Sequence, residues 1–317
     1  MPEPIETLAG RTPDLTAVEA AARAAHAGDQ EAGRTLAAAF LHAAFAAPEL
    51  IAPVWDAAAR GWTGTPDEGP AIALPPVLPS APPPALWPDV QALLEDAAAG
   101  RLDPLAITAR TAALAAHLDA AFTARLAAAC AAFPGVREAA ADGIPPRFTM
   151  EELALAPEGS LGEAFHRQIA DNGYELEVLD REALGLADLP HPLGYVNARI
   201  LQLHDLIHLA AGYELTALHE IGISGFQMGQ FGHHYSAMFL AVVTTLSATS
   251  PQPGALAVLL DVTLAAWRHG RRTPPLLGLD WKGLWHLPLP EFRKAAGITP
   301  FASPWPPRLF EEMRAAA

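Results

Sequence analysis

At 317 residues, 51% of them apolar, the chain is long enough to bury one large core or two smaller ones. Its formal charge of −15 excludes nucleic-acid binding as its work, because phosphate contacts need clustered Lys and Arg. The charge is uneven: from Thr263 onward eight basic residues face four acidic ones, a net +4 that leaves −19 for the rest.

The opening residues, MPEPIETLAG, carry no basic n-region and no apolar h-region, so no signal peptide is expected. Residues 14–62 read as Ala- and Leu-rich helices, with Asp14 and Asp29 as N-caps and Pro48 starting a third segment. They hold no metal-ligand spacing and no nucleophile motif, and are expected to be a packing module. Residues 63–86 are too proline-dense for helix and too irregular for strand, and are expected to form an extended linker. The predicted organisation is therefore a helical region over 1–62, the linker, and a helical domain over 87–317.

From Trp87 the helical pattern resumes, and Pro104 opens a run expected to continue to Phe133. His117 in that run is expected to be satisfied or half-exposed rather than a ligand. Cys130, the only cysteine, has no disulfide partner and suits a reducing compartment. Ser160 and Glu163 have the spacing of a capping box, and Asn172-Gly173 should close the helix they start. No long period-2 alternation and no phosphate-binding glycine motif appears, so the predicted fold class is all-α, a multi-helix bundle.

The chemistry concentrates in Leu203–Glu220, LHDLIHLAAGYELTALHE. His204 and His208 are one turn apart and share a helix face, Asp205 lies beside them, and Gly212 ends the helix. Glu220 opens the next helix, twelve residues after His208. Two imidazoles and two carboxylates on helices joined by a short turn can converge on one divalent ion, and these donors suit zinc, iron, manganese or cobalt. The competing arrangement is a buried hydrogen-bond cluster, disfavoured by the cost of burying two carboxylates without a cation.

The next helix is expected to run on through Met238. Gly222, Gly225, Gly229 and Gly232 then share an arc of about 80°, and Glu220, Gln227, Phe231, His234 and Met238 an opposite arc of about 40°. The bare glycine face requires close backbone contact with a neighbouring helix, a second subunit in a homodimer, or a flat ligand. His234 would stand roughly 20 Å along the axis from Glu220, too far to ligate the same ion. It and Gln227 are expected to line a cavity.

Two apolar runs follow, Ala237–Leu246 and Ala255–Ala266, both too short to span a membrane. The second belongs to an amphipathic helix expected to start beyond Pro253 and to stop at Gly270. Arg271 and Arg272 are then candidates for an anionic substrate group or a lipid head group. Trp267, Trp281, Trp285 and Trp305 lie among the basic residues of this last part, as at a membrane interface or in ordinary packing.

His204-Asp205-Leu206-Ile207-His208, Gly212 and Glu220 reproduce an HDxxH-x11-E pattern, and on it the chain resembles the ubiquinone (coenzyme Q) biosynthesis protein four family. Pro157-Glu158-Gly159-Ser160-Leu161-Gly162 with Phe165 is similar to that family's PxG(S/T)LGxxY segment, with Phe in place of Tyr. Gly270-Arg271-Arg272, Trp285 and Glu291-Phe292-Arg293 resemble its C-terminal elements in the same order. The resemblance covers about residues 140–300 and leaves the Ala-rich N-terminal region outside.

The resemblance implies a helical protein of the ubiquinone pathway, cytoplasmic and peripheral to the inner membrane face, that works with other ubiquinone-biosynthesis proteins. It implies a divalent metal, usually taken as zinc with magnesium also open, on His204, Asp205, His208 and Glu220. It also implies an apolar cavity for a polyprenylated ring, with Gln227, Phe231, His234, Met238, Arg271 and Arg272 as substrate-side candidates. The associated reaction is loss of the C1 carboxylate from a prenylated 4-hydroxybenzoate-derived ring, a lyase activity coupled with oxygenation at that carbon. Two alternatives stand beside it. One is a prenyl-lipid-binding scaffold. The other is an HD-type metal phosphohydrolase, for which His166 and Asp261 would have to supply the further ligands.

Overall fold

Aspartates begin the early helices because their carboxylates accept the N–H groups that a first turn leaves unpaired. Asp14 accepts from Ala17 N at 2.8 Å and Asp29 from Glu31 N at 2.9 Å, as their positions predict. The structure, a computed structural model, describes residues 3–66, 69–177, 179–252 and 254–316. Linker residues 67 and 68 and the expected helix start at Pro253 lie outside the described residues.

The first four helices are α1 (Ile5–Ala9), α2 (Leu15–His26), α3 (Gln30–Phe45) and α4 (Ile51–Thr63), the last led in by a short turn at Pro48–Leu50. After the proline-rich stretch come α5 (Trp87–Ala98), α6 (Pro104–Ala113), α7 (Ala120–Cys130), α8 (Val136–Ala139), α9 (Met150–Ala154) and α10 (Leu161–Asn172). The long central helices are α11 (Leu193–Ala211), α12 (Ala217–Phe231), α13 (His234–Thr249) and α14 (Ala255–Arg272). Three short ones finish the fold: α15 (Trp281–Leu284), α16 (Leu289–Ala296) and α17 (Leu309–Ala316). The fold is all-α; among the described residues the strand-like pairing is one isolated bridge, Ser160 to Pro288.

The expected single helix from Pro104 to Phe133 is two. Leu118 is extended, and Asp119 starts α7 by accepting from Phe122 N at 2.7 Å. Apolar spacing carries through this point, whereas the capping carboxylate does not belong in a helix interior. Asp119→Ala is expected to cost about 1 kcal/mol, read as a lower urea midpoint at unchanged slope. At Ser160 the cap is half of the expected box: Ser160 Oγ accepts from Glu163 N at 3.2 Å, while Glu163 pairs with Arg167. The reciprocal box forms instead between Thr149 and Glu152.

Two buried apolar clusters share α11. Its first half, with Tyr195, Val196 and Ile200, belongs to a cluster with α2, α3, α4, α13 and α14. Its second half, with Leu203, Leu206 and Ile207, belongs to a cluster with Phe165, Trp281 and Phe292. The N-terminal helices are tied to the later ones by specific bonds. Trp267 Nε1 donates to Asp56 at 2.8 Å, Trp62 Nε1 to Asp261 at 2.8 Å, and Arg125 pairs with the buried Glu49 at 2.7 Å.

The glycine face of α12 lies on α14 of the same chain. A Cβ at Gly225 would stand 2.7 Å from Thr263 O, and at Gly229 2.6 Å from Trp267 O. Gly270 of α14 is the reciprocal position, against the Phe226 carbonyl. This packing takes the place of the second subunit and the flat ligand as the reason for Gly222, Gly225 and Gly229. It also explains why Gly270 does not stop α14, which continues through Arg271 and Arg272 to a C-cap at Thr273.

Gly232 has a different role. It is left-handed, φ 64°, and ends α12; α13 restarts at His234. The expected continuous face from Glu220 to Met238 is therefore broken. No helix among the described residues is long and apolar enough to cross a membrane.

Candidate metal centre

His204, Asp205 and His208 occupy the last two turns of α11, and Glu220 the first turn of α12. Gly212, left-handed at φ 79°, reverses the chain between them. The C-terminal part of the chain holds this turn from outside. Arg293 donates to the carbonyls of Ala210 at 2.9 Å and Leu209 at 2.8 Å, and Phe301 N donates to Ala211 O at 2.8 Å. These bonds satisfy carbonyls that the end of a helix leaves unpaired. Thr216 makes no side-chain cap at the start of α12; Glu311 of α17 accepts from Ala217 N at 2.9 Å instead.

His204, Asp205 and His208 form one cluster, and Glu220 stands beside its two imidazoles. His208 Nε2 stands 3.3 Å from Glu220 Oε1, and His204 Nε2 3.7 Å from Glu220 Oε2. His204 Nδ1 is 3.1 Å from Asp205 Oδ1, and the two imidazoles meet edge to face at 4.9 Å. One donor atom from each of His204, Asp205 and His208 lies within 4.8 Å of the others. Donors about 2.0–2.2 Å from a tetrahedral ion stand roughly 3.3–3.5 Å apart, so the separations to Glu220 suit a shared cation.

The protons decide what the site can hold. His208 Nδ1 is 3.1 Å from the Tyr213 carbonyl, which can only accept, so Nδ1 carries the hydrogen. Nε2 is buried, without a hydrogen-bond partner, and opposite a carboxylate oxygen. A ring nitrogen and a carboxylate oxygen facing at 3.3 Å require a proton or a cation between them. His204 is arranged in the same way: Asp205 takes its Nδ1–H and Nε2 turns toward Glu220. Asp205 Oδ1 is thus committed to orienting His204, as carboxylates beside metal-bound imidazoles do.

Without a cation, the electrostatics favour protons in those gaps. Burial works against a charge on His204, but its bond to Asp205 and the Glu220 and Asp205 charges raise its pKa above the ordinary imidazole value. Burial likewise opposes the Glu220 carboxylate, yet the two imidazoles hold it below the usual range. His208 is 1% exposed, whereas the side chains of His204 and Glu220 are 34% and 47% exposed. The site is closed on one side and open to solvent on the other.

The substrate-side candidates do not gather here. Phe231 and Met238 are buried in the apolar cluster that includes the N-terminal helices. His234, past the break at Gly232, donates from Nε2 to Ala44 O at 2.8 Å. Gln227 remains on the Glu220 helix, but it is buried, with its Nε2 unpartnered. Arg271 is also buried, bonded to Asp56 and to Pro70 O at 2.6 Å and lying over the Trp267 ring, so it is no anion receptor. Arg272 is exposed on the last turn of α14. Trp267 and Trp281 are core residues, and Trp305 Nε1 donates to Asp261 at 2.9 Å. Asp261 thus accepts from two indoles, which leaves the hydrolase reading without its further ligand.

Two surface openings, of about 480 and 220 Å³, lie between α1 and the start of α5, away from the site. Several supporting groups escape sequence reading altogether: the Tyr213 carbonyl, Arg293, Glu311, and Gln168, whose Nε2 donates to Asp205 O at 3.2 Å. A backbone carbonyl leaves no trace in sequence, and the others come from segments far along the chain.

An all-α bundle that brings two histidines and two acids together across a helix–turn–helix defines a class of candidate metal proteins. Residues 145–302 match the family described as Coenzyme Q (ubiquinone) biosynthesis protein Coq4, and through them the chain belongs to that family. The ubiquinone biosynthesis protein COQ4 homolog, mitochondrial, of Bos taurus is 31% identical over 161 residues, 47% of this chain and 54% of its own length. Its counterpart in Rattus norvegicus is 30% identical over 165 residues, 49% of this chain and 58% of its own. The chain thus spans little more than half the length of these curated relatives. A solved structure from Nostoc punctiforme has a TM-score of 0.48 and 25% identity, over 67% of this chain and 96% of its own.

The segments that carry the resemblance converge in space. Leu161 N donates to Leu287 O and Gly162 N to Trp285 O, both at 2.8 Å, so the PEGSLG segment pairs with the Trp285 region. Arg293 of the Glu291-Phe292-Arg293 element caps the helix that bears the histidines.

Proposed function

We propose that this chain acts in ubiquinone biosynthesis, with a divalent metal held by His204, His208 and Glu220 and with Asp205 orienting His204. The observation that carries the metal is the buried His208 Nε2, without a hydrogen-bond partner and 3.3 Å from the Glu220 carboxylate. Zinc is the expected ion from the donor set, with iron, manganese, cobalt and magnesium as the other outcomes of elemental analysis.

The substrate is a polyprenylated 4-hydroxybenzoate-derived ring, and the reaction is loss of its C1 carboxylate. The C1–carboxyl bond breaks, carbon dioxide leaves, and the electron pair returns to the ring carbon, which has taken up a proton. That sequence needs sp³ character at C1, and a divalent ion, when bound, would supply Lewis acidity toward the ring oxygens. With dioxygen as two-electron oxidant and water as the hydroxyl source, the same carbon would gain a hydroxyl as carbon dioxide leaves, and dioxygen would end as hydrogen peroxide. The chain's own residues fix the geometry. Tyr213 O and Asp205 hold the two imidazoles in the tautomer that faces inward, and exposed Glu220 leaves the solvent side open to substrate. An open side favours catalysis over a sealed structural ion. Work alongside other ubiquinone-biosynthesis proteins, at the cytoplasmic membrane face, is part of the same proposal.

The test is expression in a host lacking its own family member, with quinone and carboxylated precursors followed by mass spectrometry. The unaltered chain is expected to restore quinone. His208→Ala, confirmed as folded by circular dichroism, is expected to accumulate the ring acid. Equal rescue by the two chains would overturn the metal reading.

A further inference from the structure

Tyr213 is the first residue after Gly212, in the turn between the two halves of the centre, and it touches the site by its backbone. Its carbonyl accepts His208 Nδ1–H at 3.1 Å, while its N–H donates back to His208 O at 2.9 Å. The direction of that carbonyl sets the direction of the His208 ring, because a hydrogen bond to Nδ1 fixes both tautomer and orientation. A carbonyl in a short turn is only as fixed as the residue that bears it.

The side chain of Tyr213 supplies that fixity. Its hydroxyl is 2.9 Å from His269 Nδ1, and His269 Nε2 is 2.7 Å from the Thr299 carbonyl. Thr299 O can only accept, so His269 carries its hydrogen on Nε2 and offers a lone pair at Nδ1 to the tyrosine. The ring is stacked on Phe301 at 4.5 Å and 16°, and Phe301 N is itself bonded to Ala211 O. Tyr213 is 3% exposed and His219 meets it edge-on at 5.8 Å. The donors thus run from the site outward: His208 to Tyr213, Tyr213 to His269, His269 to Thr299.

We propose that Tyr213, anchored by His269, is the positioning residue of the metal centre, holding the His208 ring with its Nε2 toward Glu220. This rests on the metal reading above and adds to it a residue that contacts neither ion nor substrate. Tyr213→Phe keeps the stacked ring and removes the anchor. His269→Leu removes it from the other side, and His269→Asn places an amide oxygen near the former Nδ1 and restores an acceptor.

The probe is Co(II) alone, added to the full chain and competed with a chelator, with its visible absorption and the paramagnetically shifted His208 Nδ1–H proton resonance recorded. Tyr213→Phe and His269→Leu are expected to weaken Co(II) binding about tenfold, within the usual range for partners behind a metal ligand. Both should also broaden the Nδ1–H resonance by faster exchange, and His269→Asn should recover most of both signals. Unchanged affinity and an unchanged resonance in Tyr213→Phe would overturn the positioning role, even if its melting temperature fell. Failure of the unaltered chain to bind Co(II) would instead remove the metal reading, and this proposal with it.

Discussion

Gly270→Ala is expected to lower the melting temperature by roughly 3–5 °C. An alanine Cβ at this position would overlap the Phe226 carbonyl oxygen and stand 3.2 Å from Gln230 N, both backbone atoms of α12. Neither can move without shifting the helix. Alanine also gains about 1 kcal/mol over glycine in a helix interior, which offsets part of the cost. Overpacking of about 3–4 kcal/mol against backbone leaves a net loss of about 2–3 kcal/mol. With about 2.1 cal/mol/K of unfolding entropy per residue, a chain of this length converts that loss into the stated shift.

Gly33→Ala is the control. Its Cβ would meet the Leu256 Cδ2 methyl at 2.6 Å, the far end of a side chain that can turn, so little or no loss is expected there. Calorimetry on the two variants checks the pair. A Gly270→Ala chain as stable as the unaltered one would mean that α12 and α14 do not touch backbone to backbone. The helix that carries Glu220 would then lack its support.

The same glycines show what the sequence could and could not reveal. Their shared arc on α12 was visible from spacing alone, and it correctly demanded a close neighbour. Gly232 sits in the same register but serves as a left-handed cap, and an arc drawn at 100° per residue cannot distinguish the two uses. That one residue carried His234 and Met238 onto a face they do not share with Glu220. Arg271 misled for a different reason. Its partners, Asp56 and Pro70 O, are some two hundred residues earlier, and a guanidinium in a basic stretch looks solvated until such a partner is known.

The nearness of His204, Asp205, His208 and Glu220 was legible because their spacing is local. One helical turn separates the histidines, and one glycine turn separates them from Glu220. The all-α class followed equally from local pattern. What local pattern omits is the support: Arg293 on the end of α11, Glu311 on the start of α12, and the Tyr213–His269–Thr299 chain behind His208. All three depend on the C-terminal hundred residues folding back over the α11–α12 turn.

Acidification from pH 6.5 toward pH 4.5 is expected to destabilise the chain steeply, by up to about 4 kcal/mol per pH unit from three histidines. Burial, with lesser contributions from the neighbouring His234 and His204 charges, pushes His233 down to about 3. Burial alone lowers His234 and His269 to about 4, against backbone hydrogen bonds that favour charge. In the unfolded chain each returns to about 6.5. Between those limits the unfolded state holds more protons, so stability rises with pH. The contribution is complete above pH 6.5 and is lost on acidification toward the folded values. Three protons taken up on unfolding near pH 5 give the slope stated, at about 1.4 kcal/mol per proton and pH unit. His204, raised rather than lowered, acts in the opposite sense, and carboxylates add their own dependence at lower pH.

A comparison of variants cancels those other terms. His234→Gln keeps an amide donor near Nε2 for Ala44 O and removes one titrating group, so the slope of unfolding free energy against pH should fall by about one proton. Urea unfolding at pH 5.0, 5.5 and 6.0 measures both slopes. Equal slopes in the two chains would mean that His234 titrates normally in the fold. The α13 terminus would then not be sealed against α3, and the N-terminal helices would cover less of the later ones than the Ala44 contact indicates.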